Sequence, residues 1–428
     1  MTTLFLFVAL FVFLIIGMPI AISLGLSSLL TILLFANDSM ASLALKFFQT
    51  AELYTLLAIP FFVLAGAFMT TGGVARRMIA FANACVGHMY GGLAIASVVA
   101  CMLFAAVSGS SPATVVAVGS IVIAGMVRAG YTQTFAAGVV CNAGTLGILI
   151  PPSTGFVIYA ILTQQSIGRL FLAGVLPGIL LLSMFIVTIT VLCWLRPGFG
   201  PAGPRTTMGE KTKRMVGALP VLSVVILTIG GIYGGIFSPV EASAVGAGLI
   251  ILIGAATGKL TPKAFWAAAK DSVVTTAAVM LILISAHILN PFLALTHIPD
   301  LVGAFLEGLQ VGPIAVLALI LLTYLILGCF LEGFAMLVLT MPIYFPVITQ
   351  LGIDPIWFGV LVVLTLEMGL ISPPVGVNVF IVKSVARDVP LSRIFAGVTP
   401  FWFAMLATLV VLIAFPQITL ILPNTMMN

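Results

Sequence analysis

Long apolar runs separated by short polar turns dominate this chain. Residues 170–195 and 216–236 pass almost without a polar side chain. Strands of a membrane barrel would alternate apolar and polar positions, and these runs do not. Lipid offers no partner to backbone N–H and C=O groups, so such runs predict helices, about 20 residues per crossing. Residues 4–36 form one long crossing or two short ones meeting at Gly17-Met18-Pro19. Residues 53–71 cross next, and an amphipathic stretch follows from Arg76-Arg77 to His88. Runs 91–107 and 112–127 flank the polar cluster Ser108-Gly109-Ser110-Ser111. Run 135–162 is broken by Gly147 and Pro151-Pro152. Runs 216–236, 240–256 and 272–295 follow, and the second half then repeats the odd features of the first.

Composition sharpens this. Hydrophobic residues make up 62% of the chain and charged residues 6%, too few charges for a water-facing surface. The net charge of +5 sits in short loops, which excludes a nucleic-acid reading and marks sidedness instead. Arg196, Arg205, Lys211, Lys213 and Arg214, against a lone Glu210, make the longest polar loop cytoplasmic; Lys259, Lys263 and Lys270 mark another cytoplasmic segment. The loop leading to Gly312 carries Asp300 and Glu307 without a base, as expected outside. The five cysteines lack paired spacing and the three histidines are scattered, so disulfide, zinc and haem chemistry find no ligand pattern. The apolar N-terminus has no basic leader, and it is expected to be a retained membrane segment.

The chain repeats itself. Gly147–Pro152 matches Gly369–Pro374 at an offset of 222 positions (151 to 373). The same offset pairs Gly130 with Gly352, Phe135 with Trp357 and Val140 with Val362, while Gly138 misses Gly359 by one. After one insertion, Ala173-Gly174-Val175 pairs with Ala396-Gly397-Val398 and Pro177 with Pro400. A run of matches at nearly one offset argues for duplication. Loop charge argues for inversion. Arg128 leads into the first broken helix, whereas the matching loop 350–355 holds Asp354 and no base. Beyond the breaks, Arg169 stands alone opposite Lys383, Arg387 and Arg393. Inverted repeats with discontinuous helices are a secondary-transporter pattern, with the binding site near the bilayer midplane. Each half then reads as a re-entrant hairpin followed by a broken helix. Two ordinary crossings around each polar cluster would return the chain to the same side, so loop charge does not separate the readings. Arms shorter than about 20 residues favour hairpins.

The breaks carry the chemistry. Pro151-Pro152 removes two backbone donors, freeing carbonyls upstream to face a cation. Half-helix C-termini are partly negative and N-termini partly positive. Ser108, Ser110, Asn142 and Thr145 add neutral oxygens at the first break, and Thr365 and Ser372 at the second. Such sets suit sodium, held beside an anionic substrate. Ser111, Thr154 and Asn378 are the candidate substrate contacts, although the Asn378 amide could equally satisfy broken backbone. Glu332 at the second hairpin tip and Glu367 before the second break are costly in apolar surroundings. They read as cation-coupling or proton-relay groups, or as acceptors for opened backbone amides. Glu241 follows a turn and suits a helix N-terminus.

At these motifs the chain resembles a known family. VSGSSPATVVAVGSI (107–121), GTLGILIPPSTG (144–155), FLAGVLPG (171–178), LEGFAMLVLTMPIYFPV (331–347) and MGLISPPVGVNVF (368–380) are similar to the large membrane subunit of tripartite ATP-independent periplasmic (TRAP) transporters. The resemblance covers essentially the whole chain. It implies sodium-driven, elevator-type uptake of a C4-dicarboxylate, sialic acid or similar carboxylate in a bacterial inner membrane. It also implies two partners, a soluble periplasmic substrate-binding protein and a small four-helix membrane subunit carried on a separate chain. Residue by residue, Ser108, Ser110, Gly147 and Pro152 match the motif around the first sodium site. Gly333, Thr365, Gly369 and Ser372 match the second, where Glu332 stands in place of the family's common Asp.

The expected fold is therefore an all-α integral membrane protein, an inverted-repeat elevator-type transporter. It has about 9–10 full crossings, two re-entrant hairpins and two broken helices. Its expected divisions are N-terminal scaffold helices (1–90), a first repeat (91–195; hairpin 91–127, broken helix 135–162, following helix 170–195), a cytoplasmic loop with scaffold helices (196–272) and a second repeat (273–428; hairpin 313–349, broken helix 356–382, following helix 394–422). No cofactor beyond coupling sodium ions is expected. A stand-alone carrier of the same superfamily is the alternative within transport. A membrane enzyme or redox subunit lacks a nucleophile motif or ligand set, and no Walker motif is present.

Overall fold

The computed structural model describes residues 2–35, 40–71, 74–196, 199–203, 206–258, 260–295 and 311–426. Arg205, Lys259 and the acidic pair Asp300 and Glu307 lie outside them. Every regular element among the described residues is helical.

The first apolar run is two helices, α1 (Thr2–Ile15) and α2 (Ile20–Phe35), packed on each other. Gly17, at φ 88°, lets the chain turn between them. After α3 (Met40–Ala51) and a 3-10 turn at Tyr54–Leu57 come α4 (Ala58–Thr71) and α5 (Val74–Val86). Helices α11 (Met208–Tyr233), α12 (Pro239–Ala256) and α13 (Pro262–Leu295) complete this outer group: α12 and α13 pack on α4, α13 on α2, and α11 on α5. Ser238 and Glu241 form a reciprocal capping box at the start of α12, which is the helix-terminus role expected of Glu241. Helix α13 runs unbroken through the boundary expected at residues 272 and 273. Pro262 in its first turn, with Thr261 accepting from the Ala264 N–H, starts the helix a full ten residues earlier. Exposed Ile226, Leu227, Trp266, Val273 and Val274 give this group an apolar outer face.

The core is two similar halves. The first holds α6 (Gly92–Ser108), α7 (Ser111–Arg128), the broken pair α8 (Gln133–Leu149) and α9 (Thr154–Thr163), and α10 (Ile167–Leu195). The second holds α14 (Pro313–Gly328), α15 (Gly333–Gln350), the broken pair α16 (Pro355–Leu370) and α17 (Val377–Val385), and α18 (Leu391–Ala414). A final α19 (Gln417–Met426) follows a break at Phe415-Pro416, so the single helix expected over 394–422 is two. Pro416 cannot donate to the preceding turn.

The halves exchange partners. Helix α9 packs on α15 and α17 on α7, while α8 packs on α18 and α16 on α10. The offset of 222 recurs as local geometry. Ser110 and Glu332 both cap the second arm of a hairpin, and Thr132 and Asp354 both cap a broken helix. Gly130 and Gly352 both adopt positive φ. The tightest crossing is at Gly138, where an added Cβ would lie 2.2 Å from the Gly397 carbonyl oxygen. Backbone contact of this kind replaces hydrophobic driving force between helices in lipid.

By length and composition, seven helices among the described residues suffice to cross a membrane, or up to nine if each bent pair is one span. Arms α7 and α15 belong to the seven at 18 residues each, so shortness does not identify them as hairpin arms. Both begin against a break: the tip before α7 bonds Thr154 and the tip before α15 bonds Gly376.

Candidate functional site

The first hairpin turns through Gly109, in the left-handed region at φ 60°. Ser110 then caps α7 by accepting from the Ala113 N–H, with Pro112 in the first turn. The Gly109 carbonyl accepts from the Thr154 hydroxyl at 2.7 Å and from the Thr154 N–H at 3.3 Å. An added Cβ on Gly109 would meet the Pro152 carbonyl oxygen at 2.7 Å, so the tip sits directly on the break. Gly147 closes the contact from α8, facing the Ser110 backbone and Ala105. Ser108, Gly109, Ser110, Gly147, Pro152 and Thr154 thus form one cluster.

The break itself frees backbone oxygens. Pro151 and Pro152 occupy the positions whose N–H groups would bond the Gly147 and Ile148 carbonyls. The last helical bond runs from the Ile150 N–H to the Leu146 carbonyl. Ser153 then caps α9, accepting from the Phe156 N–H at 3.2 Å. Hydroxyls fill the remaining space. Ser108 Oγ lies 3.3 Å from Thr114 Oγ1, and Thr114 donates to the Ser110 carbonyl. Thr145 turns back to the Asn142 carbonyl at 2.6 Å. Asn142 donates to the Gly138 carbonyl at 2.8 Å, and its Oδ1 is buried without a hydrogen-bond partner.

The second break repeats the plan with different chemistry. The Gly376 N–H donates to the Cys329 carbonyl at the hairpin tip, and Gly376 is the equivalent of Thr154 at the same offset. Glu332 accepts from the Phe334 and Ala335 N–H groups at 3.0 and 3.3 Å, so its carboxylate is engaged as the α15 cap. Gly333 packs against Leu366, and Gly369 against the Gly328 backbone. Here the Gly369 carbonyl is not free, because the Ser372 N–H donates to it at 2.9 Å. Thr365 donates to the Leu361 carbonyl. Ser372 donates to the Met368 carbonyl and accepts from Trp402 Nε1 at 2.9 Å. Nothing in the spacing pointed to Trp402. It lines a cavity of about 370 Å³ beside this break, together with Ser372, Pro373 and Cys329.

Two buried groups join the halves or stand open. Ser111 Oγ lies 2.7 Å from Glu367 Oε2 and 2.9 Å from the Gly144 carbonyl, linking the first hairpin to the second broken helix. Glu367 Oε1, and both amide atoms of Asn378, are buried without hydrogen-bond partners. Polar atoms in that state are rare unless a ligand, ion or water completes them. Among the described residues no His/Cys/Asp/Glu group of metal-binding size occurs. The five cysteines are free.

A family profile described as "Tripartite ATP-independent periplasmic transporter, DctM component" matches residues 7–418. The C4-dicarboxylate TRAP transporter large permease protein DctM of Pseudomonas aeruginosa is 48% identical over 407 residues, covering 94% of this chain and 94% of that protein. Its namesake from Vibrio cholerae is 44% identical over 445 residues, covering 99% and 98%. Among solved structures, the YdaH transporter of Alcanivorax borkumensis matches with a TM-score of 0.65 at 14% identity, over 88% of this chain and 87% of that one. At that identity the likeness is one of fold.

Proposed function

The chain belongs to the DctM component family of the TRAP transporters, multi-pass proteins of the bacterial inner membrane, and on that premise we propose that it carries out sodium-coupled uptake of a C4-dicarboxylate. The observation that carries the sodium part is the first break. Pro151 and Pro152 remove the donors for the Gly147 and Ile148 carbonyls, and the tip built from Ser108, Gly109 and Ser110 sits against the same break at Pro152 and Thr154. Neutral oxygens at that density replace the hydration shell of a monovalent cation without burying a full countercharge. The second break, with Glu332, Gly333, Thr365, Gly369 and Ser372, is the second ion site.

The substrate class rests on the names of the relatives at 48% and 44% identity. A dicarboxylate between the hairpin tips would meet the α7 and α9 N-termini, which favour anions. It would also meet the open amide of Asn378. Delivery comes from a periplasmic binding protein, and a small membrane subunit is the second partner. Transport is an elevator-type displacement of the two-fold core against the α1–α5 and α11–α13 group.

Reconstituted complex should take up dicarboxylate only with an inward sodium gradient and the loaded binding protein. Full uptake in potassium buffer under a proton gradient would overturn the sodium assignment. Uptake of free substrate without a binding protein would favour the stand-alone carrier.

A further inference from the structure

Both intramembrane acids of the second half stand where the first half has a hydroxyl. At the offset of 222, Glu332 matches Ser110 and Glu367 matches Thr145. The first pair keeps its function, since both residues cap a hairpin arm. The second pair does not. Thr145 donates to the Asn142 carbonyl in its own helix, whereas Glu367 reaches out of its helix to Ser111, 256 positions away, at 2.7 Å. A threonine there would satisfy itself at no such distance. A carboxyl 1% exposed, with one neutral donor and an open Oε1, is a costly way to fill the position.

We propose that Glu367 is a positioning residue that ties the first hairpin tip to the second broken helix, so that the two ion-site regions move as one. Ser111 opens α7 directly after Ser110, at the first site. Glu367 lies on α16 between Thr365 and Gly369, at the second. The Ser111–Glu367 bond is therefore a fully buried hydrogen bond between them, added to the packing of α17 on α7, and an event that shifts α16 is felt at the first tip. The coupling part rests on the sodium reading above; the tether itself does not.

The test uses the whole complex in proteoliposomes with its binding protein. The variants are Glu367→Ala, Glu367→Gln, Ser111→Ala and the Ser111→Ala/Glu367→Ala double. The Hill coefficient for sodium should fall from about 2 towards about 1 in either alanine variant, and the double should fall no further. Glu367→Gln should restore it, because an amide oxygen still accepts from Ser111. A lowered maximal rate with an unchanged Hill coefficient would mean a purely structural residue, and failure of the glutamine rescue would also overturn the proposal. Should Glu367→Ala not fold, Ser111→Ala, which removes one hydroxyl, decides the matter. Hydrogen exchange separates this proposal from the sodium reading. Peptides over residues 105–115 should exchange several-fold faster in both alanine variants with no ion present. Unchanged exchange there refutes the tether, and a sodium-independent wild type refutes the sodium reading alone.

Discussion

Ser110 carries two duties in one oxygen. It caps α7 through the Ala113 N–H, and it belongs to the proposed first ion site. Loss of a cap alone costs about 1 kcal/mol, which a membrane helix held by its neighbours survives. Loss of an ion ligand acts elsewhere, on the sodium concentration needed for half-maximal uptake. Ser110→Ala should therefore raise that concentration about tenfold, the effect of roughly 1.4 kcal/mol in binding. Protein abundance in the membrane should change less than twofold. An unchanged sodium curve with halved abundance would leave Ser110 as a cap only. Glu332 makes a different case. Its carboxylate already serves two backbone N–H groups, so its part in the second site is shared with a cap that any acceptor of similar reach would supply.

Among the elements, the crossing of α8 with α18 is the least forgiving. Gly138 and Gly397 bring two backbones together, and a Cβ on either would lie 2.2 Å from a carbonyl oxygen. Gly138→Ala must push the helices apart, at the roughly 1–3 kcal/mol of an overpacked core or more. The expected outcome is loss of folded protein in detergent, read by thermal melting of the purified complex. Gly125→Ala is the control, since nothing lies within 4 Å of its added Cβ. The same elements mark how far the sequence could be read. The two breaks were legible because proline and glycine interrupt apolar runs in the same way twice, whereas the hairpins were read from arm length, which α7 and α15 at 18 residues each do not bear out. Gly138 was legible only as a residue that missed the repeat, since its reason is a neighbour 259 positions away. Helix α13 was cut in the wrong place because Lys263 and Lys270 looked like loop charge, when they ride on the first turns of one 34-residue helix. Trp402 and the Ser111–Glu367 bond left no local pattern at all, because partner choice across a fold is decided by packing rather than by spacing.

For the molecule as a whole, the proposed site between the two breaks depends on inversion. A parallel duplication would open both hairpins to the same side, and a substrate between their tips would have no second exit. Arg128 and Gln350 are equivalent at the offset of 222, close the second arm of their hairpins, and are both exposed. Only the first is basic, which is the asymmetry that the insertion machinery reads. Arg128→Cys and Gln350→Cys should therefore label from opposite faces of the membrane. Of the native cysteines four are buried and Cys85 is half-exposed, so a Cys85→Ser background leaves one reporter per protein. With a membrane-impermeant maleimide on intact spheroplasts, Gln350→Cys should react at once and Arg128→Cys only after lysis. Equal reaction of both on intact cells would make the repeats parallel. The reciprocal packing of α9 on α15 and α17 on α7 would then need an axis along the membrane normal, and an alternating-access cycle built on opposed hairpins would fail with it.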